Sequence, residues 1–149
     1  PMENILQKAT ELGVSKIVPI VSERTEVKEM NFERANKIIV EAIEQSNQLM
    51  PPQISGVTKL TGYLKNFDSS SKLLFADVNS KYKLKPEDIK QGQSISILIG
   101  PEGDFSPQER ELILATSSLT SFTLSKNILR TDTAVISAIS LVNFIQNEH

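Results

Sequence analysis

Residues 94–109, Ser-Ile-Ser-Ile-Leu-Ile-Gly-Pro-Glu-Gly-Asp-Phe-Ser-Pro-Gln-Glu, decide how this chain is read. The β-branched run over residues 94–99 reads as a buried strand that ends at Gly100. Ser106, Pro107 and Glu109 form a helix start, with a capping box and proline at the first helical position. Between strand and helix, Gly100, Pro101, Glu102 and Gly103 make a glycine-flanked turn. Strand, tight turn and helix in that order are the unit of an α/β domain, and ligands collect at the carboxyl ends of strands in such sheets. The turn is no Walker loop, because no Gly-Lys-Ser/Thr follows, and it lacks dinucleotide-binding glycine spacing. A lone Gly-x-x-Gly is most often a chain reversal. Glu102 held between two glycines, with Pro101 stiffening the turn, argues for more.

The alternation extends in both directions. Ile5, Leu6, Ala9 and Leu12 follow helical spacing, and Gly13 is a natural helix terminator. Residues 16–21 read as a buried strand, with Pro19 pointing to an edge or a bulge. Asn31 caps a long helix with an inner face of Ala35, Ile38, Ile39, Ala42, Ile43 and Leu49, stopped by Pro51-Pro52. A weak strand at 54–57, a short helix at 60–67 and an apolar strand at 72–77 follow, then a polar, lysine-rich loop over 79–92. The helix after Ser106 takes its core stripe from Leu112, Ile113 and Ala115. A last strand at 121–124 leads to a final helix opening near Thr133. Its Val135, Ile136, Ile139, Val142 and Ile145 are widened by Leu141 and Phe144. That wide apolar face either packs wholly on the sheet or also forms a subunit interface. The fold class expected is α/β, one domain over residues 1–149, with a mostly parallel sheet flanked by helices.

The chain has 149 residues, 39% of them hydrophobic, which suffices for one core. With 18 acidic residues against 16 basic, it lacks the basic excess of a free-standing nucleic-acid binder, so contact with RNA would need a local patch or another domain. There is no cysteine, and the single histidine is His149. That composition argues against disulfides, thiolate chemistry, cysteine or multi-histidine zinc sites, and serine–histidine pairs. No apolar run reaches the ~18 residues of a membrane span, and no signal peptide opens the chain. A cytoplasmic domain with no membrane and no metal is expected. The abrupt opening, Pro1-Met2 straight into helical sequence, suggests that a preceding domain has been cut away.

A second ligand-binding candidate spans residues 124–134, Leu-Ser-Lys-Asn-Ile-Leu-Arg-Thr-Asp-Thr-Ala. Arg130 stands just before a hydroxyl-rich helix start, where it and the helix amides suit a phosphate or a developing anion. A surface ion pair is the plainer reading of Arg130. Glu44-Gln45-Ser46 closes the long helix and reads as a solvated end. Lys81, Lys83 and Lys85 make a basic loop, either ordinary surface or a nucleic-acid contact.

Taken together, residues 8–14 (KATELGV), Pro19 with 22–25 (SERT), 44–46 (EQS), 97–109 (ILIGPEGDFSPQE) and 127–134 (NILRTDTA) resemble the ribosomal RNA small subunit methyltransferase E family. That family belongs to the SPOUT class of S-adenosylmethionine-dependent RNA methyltransferases. The resemblance implies methylation of N3 of a uridine in 16S rRNA, S-adenosyl-L-methionine as cofactor, and a homodimer acting on 16S rRNA or the assembled small ribosomal subunit. It implies a SPOUT-type sheet with a deep trefoil knot in the C-terminal half. Phe75, Ile99, Gly100, Pro101, Gly103, Leu124, Ser125, Asn127, Ile128 and Leu129 would bind the cofactor, with Arg130, Glu102 and Asp132 catalytic. The resemblance also implies an N-terminal PUA-like RNA-binding domain, which is expected to be absent from this chain. The chain makes three departures from the family pattern: Asp104 replaces a glycine, Ser125 replaces a glycine, and Asn47-Gln48 replace Gly-Arg. The last removes a cation that would face RNA.

N3 of uracil is a poor nucleophile while protonated, so the proton must leave as the methyl arrives. Arg130 and the amides opening the final helix suit the resulting anion. Glu102 or Asp132 would be the base, and Glu102 would otherwise hold the loops by hydrogen bonding. The alternatives are a related methyltransferase acting on another RNA position, a non-catalytic cofactor-binding dimerisation module, and a generic nucleotide-binding α/β domain.

Overall fold

Every strand pairing in the computed structural model is parallel, so the chain must cross over between paired strands. The structure describes residues 2–24, 31–46, 51–101, 104–124 and 131–147. Their order is α1 (Met2–Glu11), β1 (Lys16–Ile17), β2 (Ile20–Val21), α2 (Phe32–Ser46), β3 (Gln53–Ile54), β4 (Thr58–Lys59), α3 (Leu60–Lys65), β5 (Lys72–Ala76), β6 (Ile95–Ile99), α4 (Pro107–Leu114), β7 (Leu119–Phe122) and α5 (Thr131–Asn147). A single 3-10 turn, Pro86–Asp88, interrupts the lysine-rich loop between β5 and β6.

The central strand β5 has β6 on one side and β7 on the other. Side chains alternate across it, so Leu73 and Phe75 join Leu60, Leu98, Phe105 and Ile113 on one face. Leu74 joins Ile89, Phe122, Ala138, Val142 and Ile145 on the opposite face. Helices α3 and α4 therefore cover one side, and α5 with the segment around Ile89 covers the other. A strand covered on both faces needs an unbroken apolar run, and Leu73, Leu74 and Phe75 are all fully buried.

The N-terminal strands differ from the sequence reading. The single strand expected over 16–21 is divided at Val18-Pro19, and the one expected at 54–57 is replaced by β3 and β4. The ladder nevertheless carries on between them: the amides of Gln53, Ser55 and Thr58 donate to the carbonyls of Ser15, Ile17 and Pro19, each at 3.0 Å. Ile17 and Pro19 are two residues apart, whereas Ser55 and Thr58 are three apart. The extra residue is a bulge beside Gly56, and it falls opposite the proline, which has no N–H to offer a ladder.

Local chemistry fixes the helix ends. The Val14 amide donates to Ala9 O and the Gly13 amide to Thr10 O, a Schellman pair made possible by Gly13 at φ 82°. Asn31 caps α2 by accepting from the Arg34 amide at 3.0 Å. Ala35, Ile39 and Ala42 form its buried face, Ile38 and Ile43 are half-buried, and Leu49 lies outside the described residues. Ser106 and Glu109 make the expected capping box at α4. The stripe behind that cap is corrected: Leu112 is 50% exposed and Ala115 is exposed, while Glu109 and Ile113 face inward. The cause is the buried cap itself, which turns the row Glu109–Ile113 toward the sheet. The last strand is Leu119–Phe122, two residues earlier than expected, because pairing with β5 ends at Ala76↔Phe122.

In α5, Ala138, Ile139, Val142 and Ile145 are buried within this chain, so Val142 and Ile145 are core rather than interface residues. Phe144, at 65% exposed, is what the helix leaves outside. Residues 102–103 and 125–130, where the resemblance implies the knotted path, lie outside the described residues.

Candidate active site

Parallel pairing brings three strand ends together. Ala76 is paired with Ile99 on one side and Phe122 on the other, so Asp77, Gly100 and Thr123 follow side by side at one edge of the sheet. The first turn of α5 returns to this edge, where Thr131 Oγ1 donates to Gly100 O at 3.4 Å. That contact joins the two segments singled out in the sequence, the glycine turn and the start of the last helix.

Of the residues expected to bind a cofactor, Ile99, Gly100, Pro101 and Leu124 are half-buried at this edge. Phe75 is fully buried and packs against Phe105 with ring centroids 5.9 Å apart, so it stiffens the wall behind the edge. Gly103, Ser125, Asn127, Ile128 and Leu129, and the catalytic candidates Glu102 and Arg130, lie outside the described residues. Asp132 is described, in the first turn of α5. Its Oδ2 accepts from Asn4 Nδ2 at 3.3 Å, and its Oδ1 accepts from the Thr133 amide at 3.0 Å.

Gly100 is needed for close approach. A Cβ there would lie 3.2 Å from Phe105 Cε2 and 3.4 Å from Asp104 Oδ1. Asp104 holds φ 61°, the left-handed conformation that glycine takes without strain. Its amide donates to Pro101 O at 2.9 Å and its Oδ1 accepts from the Phe105 amide at 2.8 Å, so the aspartate reproduces a tight turn by local bonding.

A cluster missed by the sequence reading lies in the same place. Asp77, 5% exposed, ends the central strand and accepts Arg110 Nη1 at 2.7 Å and Nη2 at 2.9 Å. It also accepts the Asn79 amide at 3.0 Å and the Ser121 hydroxyl at 3.3 Å. Burial alone would push this carboxyl up, but the Arg110 guanidinium and those hydrogen bonds outweigh it and hold the carboxyl below its ordinary value. Arg110, in turn, lies 5.8 Å from the Phe75 ring centroid. The signal available in the sequence was an acid at a strand's carboxyl end and an arginine one turn into a capped helix, 33 residues apart.

The described residues also enclose a groove of about 430 Å³ between α1 and α2, lined by Glu3, Asn4, Gln7, Arg34, Ile38 and Gln45 among others. It lies away from the strand ends but reaches the edge through Asn4, which holds Asp132. Glu3 and Arg34 form an ion pair across it, and both are well exposed. Among the described residues no cluster of three His, Cys, Asp or Glu could hold a metal ion, and no helix is long and apolar enough to cross a membrane.

A family model described as RNA methyltransferase domain matches residues 1–143. The Rickettsia conorii ribosomal RNA small subunit methyltransferase E is 34% identical over 143 residues, covering 94% of this chain and 58% of the relative. Its Aquifex aeolicus counterpart is 36% identical over 149 residues, covering 96% and 63%. The chain thus spans about three fifths of the length of these curated relatives. Among solved structures, a Neisseria gonorrhoeae ribosomal RNA small subunit methyltransferase E bound to S-adenosyl methionine superposes with a TM-score of 0.87 at 32% identity, covering 97% of this chain and 60% of that one. A probable rRNA-methyltransferase from Porphyromonas gingivalis gives 0.87 at 33% identity, covering 98% and 62%.

Proposed function

Because this chain belongs to the RNA methyltransferase domain family, alongside relatives named ribosomal RNA small subunit methyltransferase E, we propose that it methylates N3 of a uridine in 16S rRNA, with S-adenosyl-L-methionine as donor and the rRNA or assembled small subunit as substrate. The observation that carries the reading is the convergence of three parallel strand ends with the first turn of α5 at Gly100.

The groups present at that edge fit such a cofactor. Asp77 has its acceptors taken up inside the protein, which leaves backbone amides and carbonyls of the loops, with apolar Ile99 and Leu124 beside them. That combination suits an adenine ring and a flexible amino-acid tail. Gly100, Pro101, Gly103, Ser125, Asn127, Ile128 and Leu129 would hold the cofactor, backed by Phe75. The bound cofactor supplies a sulfonium-activated methyl group.

The protein's share is orientation and charge. Arg130 and the amides opening α5 stabilise the uracil anion over its two carbonyl oxygens as N3 gives up its proton. Glu102 or Asp132 takes that proton, and Asp132 would have to release Asn4 to do so. The target base must leave its stack to reach the edge.

The deep trefoil knot is part of the same reading. Helix α5 packs on β6 although the chain has just visited β7 on the far side of β5, and that order of elements supports the knotted path. A homodimer, cytoplasmic location and an N-terminal PUA-like domain supplying further RNA contacts complete it.

The test offers labelled S-adenosylmethionine with 16S rRNA and with small subunits to this chain, alone and joined to the relatives' N-terminal domain. N3-methyluridine at one position is the expected product. A methyl group on any other base, or no binding of the cofactor in calorimetry, would overturn the proposal.

A further inference from the structure

We propose that the lysine loop leaving β5 is a phosphate-binding surface that receives single-stranded RNA at the mouth of the candidate site, an inference that rests on the RNA methyltransferase reading. The loop starts at Asp77, whose Oδ1 and carbonyl accept the amides of Asn79 and Ser80. It is then tied to the neighbouring strand end: the Thr123 amide, just past β7, donates to Tyr82 O at 2.8 Å. Lys81, Lys83 and Lys85 are thereby placed beside the carboxyl end of β7, at the sheet edge where Gly100 meets the first turn of α5.

The loop is built rather than loose. Leu84 packs on the core cluster beneath α5, and Ile89 is 2% exposed within it. Asp88 ties the turn by accepting the Tyr82 hydroxyl at 2.7 Å and the Lys85 amide at 2.8 Å. With Leu84 turned inward, Lys81, Lys83 and Lys85 are all exposed. Residues 78–93 hold four lysines against Glu87 and Asp88, in a chain whose net charge is −2. A local positive surface on an acidic chain, fixed in advance, binds phosphates without paying to order the loop. Tyr82, 37% exposed with Lys85 Nζ 5.6 Å from its ring centroid, adds an aromatic surface among the cations. Lysines interleaved with an aromatic ring suit single-stranded RNA, where phosphates meet cations and bases stack.

The experiment compares Lys81→Gln/Lys83→Gln/Lys85→Gln with Lys37→Gln/Lys59→Gln/Lys65→Gln, which removes the same charge from α2, β4 and α3. Each is titrated with naked 16S rRNA over a salt series, with S-adenosylmethionine affinity as the check on folding. The loop triple is expected to lower the slope of log K against log salt by about 2, at ~0.7 per single-strand phosphate contact, and the control triple by much less. Equal losses in both triples, or no loss in the loop triple, would overturn the surface while leaving the methyltransferase reading standing. Unchanged affinity for naked RNA with lost affinity for small subunits would assign the loop to a protein partner and overturn it too. A wild-type protein that binds cofactor but no RNA at any salt, both alone and joined to the relatives' N-terminal domain, would sink the underlying reading, and this surface with it.

Discussion

Arg110 grips Asp77 with both terminal nitrogens, at 2.7 and 2.9 Å, and so locks the first turn of α4 to the carboxyl end of the central strand. Bidentate geometry makes this more than a surface ion pair. Arg110→Ala would leave a buried carboxylate with the Asn79 amide and the Ser121 hydroxyl as its remaining partners among the described residues. The expected loss is about 2–3 kcal/mol, below the full cost of breaking a wholly buried pair because the Arg110 side chain is 21% exposed. Urea unfolding measures it. The double variant Asp77→Leu/Arg110→Met should recover most of the loss, because no charge is then stranded. A single variant within ~0.5 kcal/mol of wild type would show that the pair contributes little.

Acid should reveal the same contact. Asp77 is held below its ordinary carboxylate value, so its contribution to stability is fully present above the unfolded-state value near ~4 and disappears as pH falls through the lower folded value. Wild type should therefore lose stability below about pH 4 more steeply than Asp77→Asn, whose curve lacks this proton. Matching slopes for the two proteins in acid would refute the assignment.

The glycine turn makes a paired prediction. Asp104 at φ 61° bears a small conformational cost and recovers some of it by accepting from the Phe105 amide. Asp104→Gly should stay within about 1 kcal/mol of wild type, whereas Asp104→Val, β-branched in the left-handed region, should lose about 2 kcal/mol. Gly100→Ala places a methyl against the Phe105 ring, and the ring is backed by Phe75, so yielding is limited. Thermal unfolding and cofactor calorimetry on the three variants check this, with Gly100→Ala expected to weaken cofactor binding by more than Asp104→Gly does.

What could be read in the sequence was whatever depends on neighbours along the chain. The capping box at Ser106, the terminator at Gly13 and the unbroken apolar run of β5 are local, and each is where it was expected. Pro19 signalled an edge or a bulge, and a bulge lies opposite it, but the division of both strands was not legible, because it is decided by the register of a partner 37 to 39 residues away. Leu112 was misplaced because helical spacing cannot tell which of two apolar rows faces the sheet, and the buried Glu109 settles that through its bonds to Ser106 and Glu23. The candidate site was half legible: motifs named the loops, while the Asp77–Arg110–Ser121 cluster exists only once β5, α4 and β7 are brought together.

The final helix separates core from surface most sharply. Val142 is 4% exposed and Phe144 is 65% exposed, two residues apart on one helix, so the two positions face different surroundings. If the chain forms the proposed homodimer through α5, Phe144 is the residue with apolar area to bury, together with the half-buried Leu141 one turn before it. Burying a phenylalanine side chain is worth roughly 1.5–3 kcal/mol, and in a symmetric pair it counts twice. Phe144→Lys should leave the unfolding midpoint of the monomer within ~0.5 kcal/mol of wild type while weakening association at least about tenfold in light scattering. Val142→Lys should instead unfold the domain, because a charge would enter the cluster beneath β5 with no partner. An unmodified chain that stays monomeric at high concentration, or a Phe144→Lys variant that dimerises as before, would remove α5 from the interface.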